Sequence, residues 1–143
     1  MPSTNQSIVI NASMPQIWSR LNDFHDMSWA PNVIKQLDKV GDVPGTEVGA
    51  KRVLNDVFHE TLIECNENNY KLRYTIDERP SPVSDKEVDH YIGTVQLSQV
   101  SGGDGVKVDW NSSWEADDER AVEFCHNIYV AFLHELKFAA EST

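Results

Sequence analysis

Arg52 and Glu60 are the residues whose types and spacing point most directly to chemistry. Residues 50–54 and 58–65 read as two strands joined by Asn55-Asp56-Val57, and a hairpin with that loop sets Leu54 opposite Phe58 and Arg52 opposite Glu60. Both charges share parity with Leu54, Phe58 and Leu62, so the pattern puts a cation and a carboxylate on an apolar strand face. A charge there has to be paired or solvated. On a cavity wall the pair would orient a polar group or act as general acid and base. In the plainer alternatives it is a structural ion pair, or a one-residue slip turns both side chains outward.

Tyr74 and Tyr91 stand on adjacent strands, on faces shared with Leu72, Ile76 and Val95. A phenol in a cavity can donate to a carbonyl oxygen and stabilise an enolate, while a core phenol finds a backbone or water partner. Trp110 and Trp114 share one strand face and form either an aromatic wall for a flat ligand or packing against the last helix. Trp18 and Trp29 read as structural. The five histidines are dispersed; Asp23-Phe24-His25-Asp26 holds three possible ligand side chains, but adjacent helix positions do not converge on one ion. No metal or cofactor is expected. A Gly-x-Ser-x-Gly elbow, a phosphate-cradling loop and a dinucleotide fingerprint are all missing from the sequence.

The elements that must position these residues follow from periodicity. Residues 7–12 read as the first strand. Ser13 suits an N-cap with Pro15 in the first turn, and Ile17, Trp18 and Leu21 fall on one helical face. Asp23 is placed to cap a second short helix that Pro31 ends. Strands are then expected over 33–40, 50–54, 58–65, 70–77, 88–100 and 106–116, with Gly102-Gly-Asp-Gly105 as a hairpin turn. The prolines of 79–87 exclude a central strand, and this loop, with 41–49 and the N-terminus of the last helix, either frames a cavity mouth or is a flexible connection with no role. A helix over about 118–140 carries an apolar stripe of Val122, Cys125, Ile128, Tyr129, Phe132, Leu136 and Ala139. These elements predict an α+β fold: a curved antiparallel sheet of about seven strands around a long C-terminal helix, with two short helices after the first strand.

At 143 residues, 1–143 is expected to form a single domain. The net charge of −11 disfavours nucleic acid and anionic lipid surfaces as partners. No apolar run is long enough to span a bilayer and no signal peptide is visible, so a cytoplasmic protein is expected. Cys65 and Cys125 lack paired-ligand spacing and read as reduced thiols. A homodimer is among the assemblies this allows.

The order of Ile10-Asn-Ala-Ser-Met-Pro-Gln-Ile-Trp18, Trp29-Ala-Pro31, Gly49-Ala-Lys-Arg52, Glu60-Thr-Leu62, Tyr74-Thr-Ile, Pro80-Ser-Pro-Val83, Tyr91-Ile-Gly-Thr-Val95 and Gly105-Val-Lys-Val-Asp-Trp110 ahead of the last helix resembles the START-like helix-grip superfamily. That is the fold of the major birch pollen allergen and of plant hormone receptors, and the narrower resemblance is to its polyketide cyclase/dehydrase-type branch. The resemblance implies a cavity for a small, mainly apolar molecule such as a lipid or polyketide. Leu62, Leu72, Tyr74, Tyr91, Trp110, Trp114, Tyr129 and Phe132 are its expected ligand-binding residues, with Arg52 and Glu60 at the polar end. A carrier or sensor is the leading expectation. A cofactor-independent cyclase, dehydratase or isomerase using Glu60 and Arg52, and a protein-interaction module, are the alternatives. The tight turn at Asn55-Asp56 departs from the mobile gate loop of the hormone receptors and argues against a gated receptor.

Overall fold

The computed structural model describes residues 3–78, 89–100, 105–115 and 120–141. The loop expected over 79–87 and most of the turn at 102–105 lie outside these residues. Seven strands, β1 (Ser3–Ile10), β2 (Leu37–Val40), β3 (Lys51–Leu54), β4 (Phe58–Asn66), β5 (Lys71–Glu78), β6 (Asp89–Gln99) and β7 (Val106–Glu115), form one antiparallel sheet in the order β1-β7-β6-β5-β4-β3-β2. Among the described residues two helices, α1 (Met14–Leu21) and α2 (Arg120–Glu141), accompany the sheet. The sheet grips α2 on its inner face, which is the helix-grip arrangement. The core is built by alternate strand residues, such as Val108, Trp110, Ser112 and Trp114 on β7, against Cys125, Tyr129, Phe132, Leu133 and Leu136 on α2.

The first helix starts where its capping residues require. Ser13 Oγ accepts from Gln16 N, and Gln16 Oε1 accepts from Ser13 N, so two otherwise unpaired donors are satisfied reciprocally. The second short helix does not form. Asp23 Oδ1 accepts from His25 N at 2.9 Å, Asp26 Oδ1 accepts from Ser28 N at 2.9 Å, and Phe24 N donates across the chain to Gly45 O at 2.8 Å. Local Asp-to-backbone bonds thus hold 23–29 in successive turns, the competition by which Asp disfavours a helix interior. The expected strand over 33–40 is shortened to Leu37–Val40 because residues 33–36 are bound by Asn55.

The expected β3–β4 register holds: Leu54 faces Phe58 and Arg52 faces Glu60. Asn55 and Asp56 have φ of 52° and 62°, and this pair of left-handed residues closes the tight turn. The β4–β5 ladder shifts register between His59 and Glu60 and again between Leu62 and Glu64. Past the second shift it is Cys65, not Glu64, that packs against the core, while Ile63 faces outward. The irregularities flank Glu60, and breaks of this kind re-aim neighbouring side chains.

The C-terminal half of α2 is tied down by polar contacts. Glu141 accepts from Asn11 N at 2.7 Å, Glu135 accepts from Asn32 N at 2.8 Å, and Arg20 Nη2 donates to Ala139 O at 3.1 Å. No helix among the described residues is long and apolar enough to cross a membrane.

Candidate functional site

A cavity of about 220 Å³ lies between the β3–β4 hairpin and the part of α2 from Cys125 to Phe132. Val33, Ile34, Leu54, Asn55 and Phe58 form one wall; Ile76 and Tyr91 come from the sheet. Cys125, Ile128, Tyr129 and Phe132 close it from the helix. Among these residues Glu60 is the one charged side chain.

Glu60 and Arg52 are 6% and 7% exposed. Arg52 Nε donates to Glu60 Oε1 at 2.8 Å and Nη2 lies 2.6 Å from the same oxygen. Arg52 Nη1 donates to Phe24 O at 3.1 Å, and its guanidinium carbon stands 3.7 Å from the Phe24 ring centroid. The cation is thus held on three sides, by carboxylate, carbonyl and ring. Both contacts from Arg52 fall on Oε1, so Glu60 Oε2 keeps no hydrogen bond among the described residues and is the oxygen available at the cavity wall. Burial pushes the Glu60 carboxyl above its ordinary value, and the Arg52 charge offsets that only in part. A carboxylate so placed can accept a proton or hydrogen bond from a bound molecule.

The other side chains singled out from sequence divide into two groups. Tyr91, Tyr129 and Phe132 are on the cavity wall. Leu62, Leu72, Tyr74, Trp110 and Trp114 are buried but do not line it. Leu72, Tyr74 and Trp110 instead surround a void of about 10 Å³, together with Phe24, Trp29 and Arg52. Such a volume is at the limit for a single water. Trp110 stacks on Tyr129 and Phe132 with centroids 5.2 Å apart, and Trp114 stacks on Tyr91 at 5.4 Å. The tryptophans therefore fill the grip and support the wall from behind.

The wall also includes residues that sequence reading passed over. Asn55 is the most consequential: its Oδ1 accepts from Lys35 N at 2.8 Å and Gln36 N at 3.2 Å, and its Nδ2 donates to Val33 O at 3.0 Å. One amide thus fastens the 33–36 segment to the hairpin tip and brings Val33 and Ile34 to the cavity. An asparagine in a tight turn was the available signal, but its partners lie about 20 residues away.

The phenols are joined. Trp110 Nε1 donates to Tyr74 Oη at 2.9 Å, Tyr74 Oη donates to Tyr129 Oη at 3.1 Å, Tyr129 and Tyr91 hydroxyls share a hydrogen bond, and Tyr91 Oη donates to Cys125 Sγ at 3.3 Å. Burial drives all three phenols well above their ordinary pKa, so they stay protonated donors. Among the described residues no cluster of three or more His, Cys, Asp or Glu side chains could hold a metal ion.

A family model described as "Polyketide cyclase / dehydrase and lipid transport" matches residues 1–141. No curated protein matches the chain. Among solved structures, a protein from Nitrosospira multiformis is 43% identical with a TM-score of 0.93, over 99% of this chain and 97% of that one. XoxI from Bacillus cereus is 26% identical with a TM-score of 0.77, over 97% and 95%. Norcoclaurine synthase from Thalictrum flavum, solved with dopamine and hydroxybenzaldehyde, shares the fold at 16% identity, with a TM-score of 0.78 over 98% and 86% of the two chains. With a gripped helix, an apolar cavity and a family match from end to end, the chain belongs to the polyketide cyclase/dehydrase and lipid transport family.

Proposed function

We propose that this protein binds a compact, mainly apolar molecule of one or two rings in the cavity, with a polar group directed at Glu60. The carrying observation is the cavity itself: about 220 Å³, with a lining that, among the described residues, is apolar but for a single carboxylate and a few hydroxyl, amide and thiol groups. An apolar cavity of roughly 150 Å³ suffices for benzene, so this one accommodates a somewhat larger ring system but not a two-chain lipid. The partner class is a small molecule, and the role this favours is carrier or sensor. Native mass spectrometry of the freshly purified protein, followed by denaturing extraction, tests it. A co-purifying ring compound is the expected result. If nothing co-purifies and toluene, indane and naphthalene all leave the melting temperature unchanged, the reading fails.

A second reading is favoured by Glu60 Oε2, which Arg52 does not engage. A carboxylate raised toward neutrality by burial, at the edge of an apolar cavity, suits a general base. In that reading Glu60 takes a proton from a bound carbon acid or hydroxyl, and Arg52 positions it. For any compound found to be turned over, Glu60→Gln is expected to lower kcat by about 100-fold or more, with ligand affinity nearly kept. Undiminished turnover by that variant would exclude it.

A further inference from the structure

The hydrogen-bond chain behind the cavity has a direction. Trp110 Nε1 is a donor only, so its bond to Tyr74 Oη fixes the first link. Tyr74 then gives its one proton to Tyr129. Tyr91 gives its proton to Cys125 Sγ, which leaves Tyr129 as the donor in the bond between Tyr129 and Tyr91. Every proton thus points from the packed interior toward the cavity wall, where Tyr91, Tyr129 and Cys125 all stand. Donors linked in series polarise one another, and the last donor in such a row is the strongest. The Tyr91 hydroxyl also has Ser112 as a hydrogen-bond partner, but its bond to Cys125 is made to a thiol sulfur, which is a weak acceptor.

The fold makes specific room for this row. Gly93 on β6 pairs with Tyr74 on β5, and a Cβ at Gly93 would fall 2.3 Å from Tyr74 Cζ and 2.6 Å from its Oη. The missing side chain lets the Tyr74 ring lie across β6 so that its hydroxyl reaches Trp110 on the next strand and Tyr129 on the helix.

We propose that Tyr91 is the specificity-determining donor of the cavity, reading a carbonyl or other uncharged oxygen acceptor on the bound ring compound, with Tyr129, Tyr74 and Trp110 as positioning residues behind it. An oxygen acceptor entering the cavity takes the Tyr91 proton from Cys125 Sγ, a stronger bond replacing a weaker one. This deepens the cavity-binding reading, on which it rests, by naming the ligand's functional group.

A matched pair of probes tests it: 1-indanone, labelled with ¹³C at the carbonyl, and indane, which has the same two-ring skeleton without the oxygen. Calorimetry is expected to show 1-indanone binding roughly three- to tenfold tighter than indane, the range for one added neutral hydrogen bond. The infrared carbonyl stretch of bound 1-indanone should lie below its value in hexane. Tyr91→Phe should erase both the preference and the infrared shift. Cys125→Ala, which removes the competing acceptor, should widen the preference. Trp110→Phe should leave a smaller infrared shift than wild type, a change that altered packing alone would not produce. If both probes bind wild-type protein equally and the carbonyl stretch matches its value in hexane, the proposal is overturned while the cavity reading stands. If neither probe binds, both fall together. The infrared comparison on wild-type protein decides the matter even where a variant fails to fold.

Discussion

Arg52 and Glu60 set the electrostatics of the interior. The folded carboxyl has a pKa above its ordinary 4.5, chiefly through burial. Between about 4.5 and the raised value, the native state keeps a proton that the unfolded chain has released, so Glu60 makes stability fall as pH rises through that interval. Below the interval this penalty is absent. Arg52→Met removes the counter-charge, so the carboxylate is buried alone. The expected loss is about 3–5 kcal/mol at about pH 8. It should be smaller at about pH 5, because lowering the pH favours the neutral acid, which burial already favours and which needs no counter-charge. Urea unfolding of both proteins at the two pH values checks this. An equal loss at both would mean that Arg52 acts mainly through its packing on Phe24.

The hairpin tip and the β5–β6 crossing each depend on one small feature. Asn55 holds residues 33–36 by side-chain bonds while adopting a left-handed backbone. Asn55→Ala is expected to cost about 2–3 kcal/mol, combining the left-handed penalty on alanine with the lost hydrogen bonds. The amides of Lys35 and Gln36 should then exchange faster, since their acceptor is gone; unchanged protection would show that the segment is held by other contacts. At the crossing, Gly93→Ala forces the Tyr74 ring aside and is expected to cost about 1–3 kcal/mol by overpacking. Tyr74→Ala takes away the obstructing ring, so in that background the added methyl on β6 should cost little. A double-mutant cycle reads the coupling directly, and additive losses would place the strain elsewhere.

For the molecule as a whole, the cavity is a stability reserve as well as a binding site. Residues on its wall give up dispersion contacts that a filled core would provide. Ile128 is on that wall, and Ile128→Phe is expected to raise stability by about 0.5–2 kcal/mol while abolishing uptake of indane. Thermal melts with and without indane measure both effects. A destabilised variant that still binds would mean that the introduced ring turns away from the cavity. The firm anchoring of the C-terminal half of α2, through Asn11, Arg20 and Asn32, leaves the cavity to the half nearer its N-terminus.

The sequence alone determined the features that depend on near neighbours. The three residues between Leu54 and Phe58 favour the observed β3–β4 register, and with it the meeting of Arg52 and Glu60, because a short loop leaves few ways to pair its strands; the choice against a one-residue slip was left to the structure. The Ser13–Gln16 cap and the helical period of Cys125, Tyr129, Phe132 and Leu136 are local in the same sense. Strand parity likewise put Leu62, Leu72, Tyr74, Trp110 and Trp114 on the inner face, where they are. What parity does not encode is whether the space beside an inward side chain is filled. That was decided by distant segments: Phe24 and Trp29, from turns that a helical reading of 23–29 did not foresee, pack against Tyr74 and Trp110 and leave only about 10 Å³ there. The open volume falls instead beside Glu60, where Asn55 gathers residues far from it in the chain. Local pattern selects a face, but a cavity is the remainder after all the layers have packed, and only the tertiary structure contains that sum.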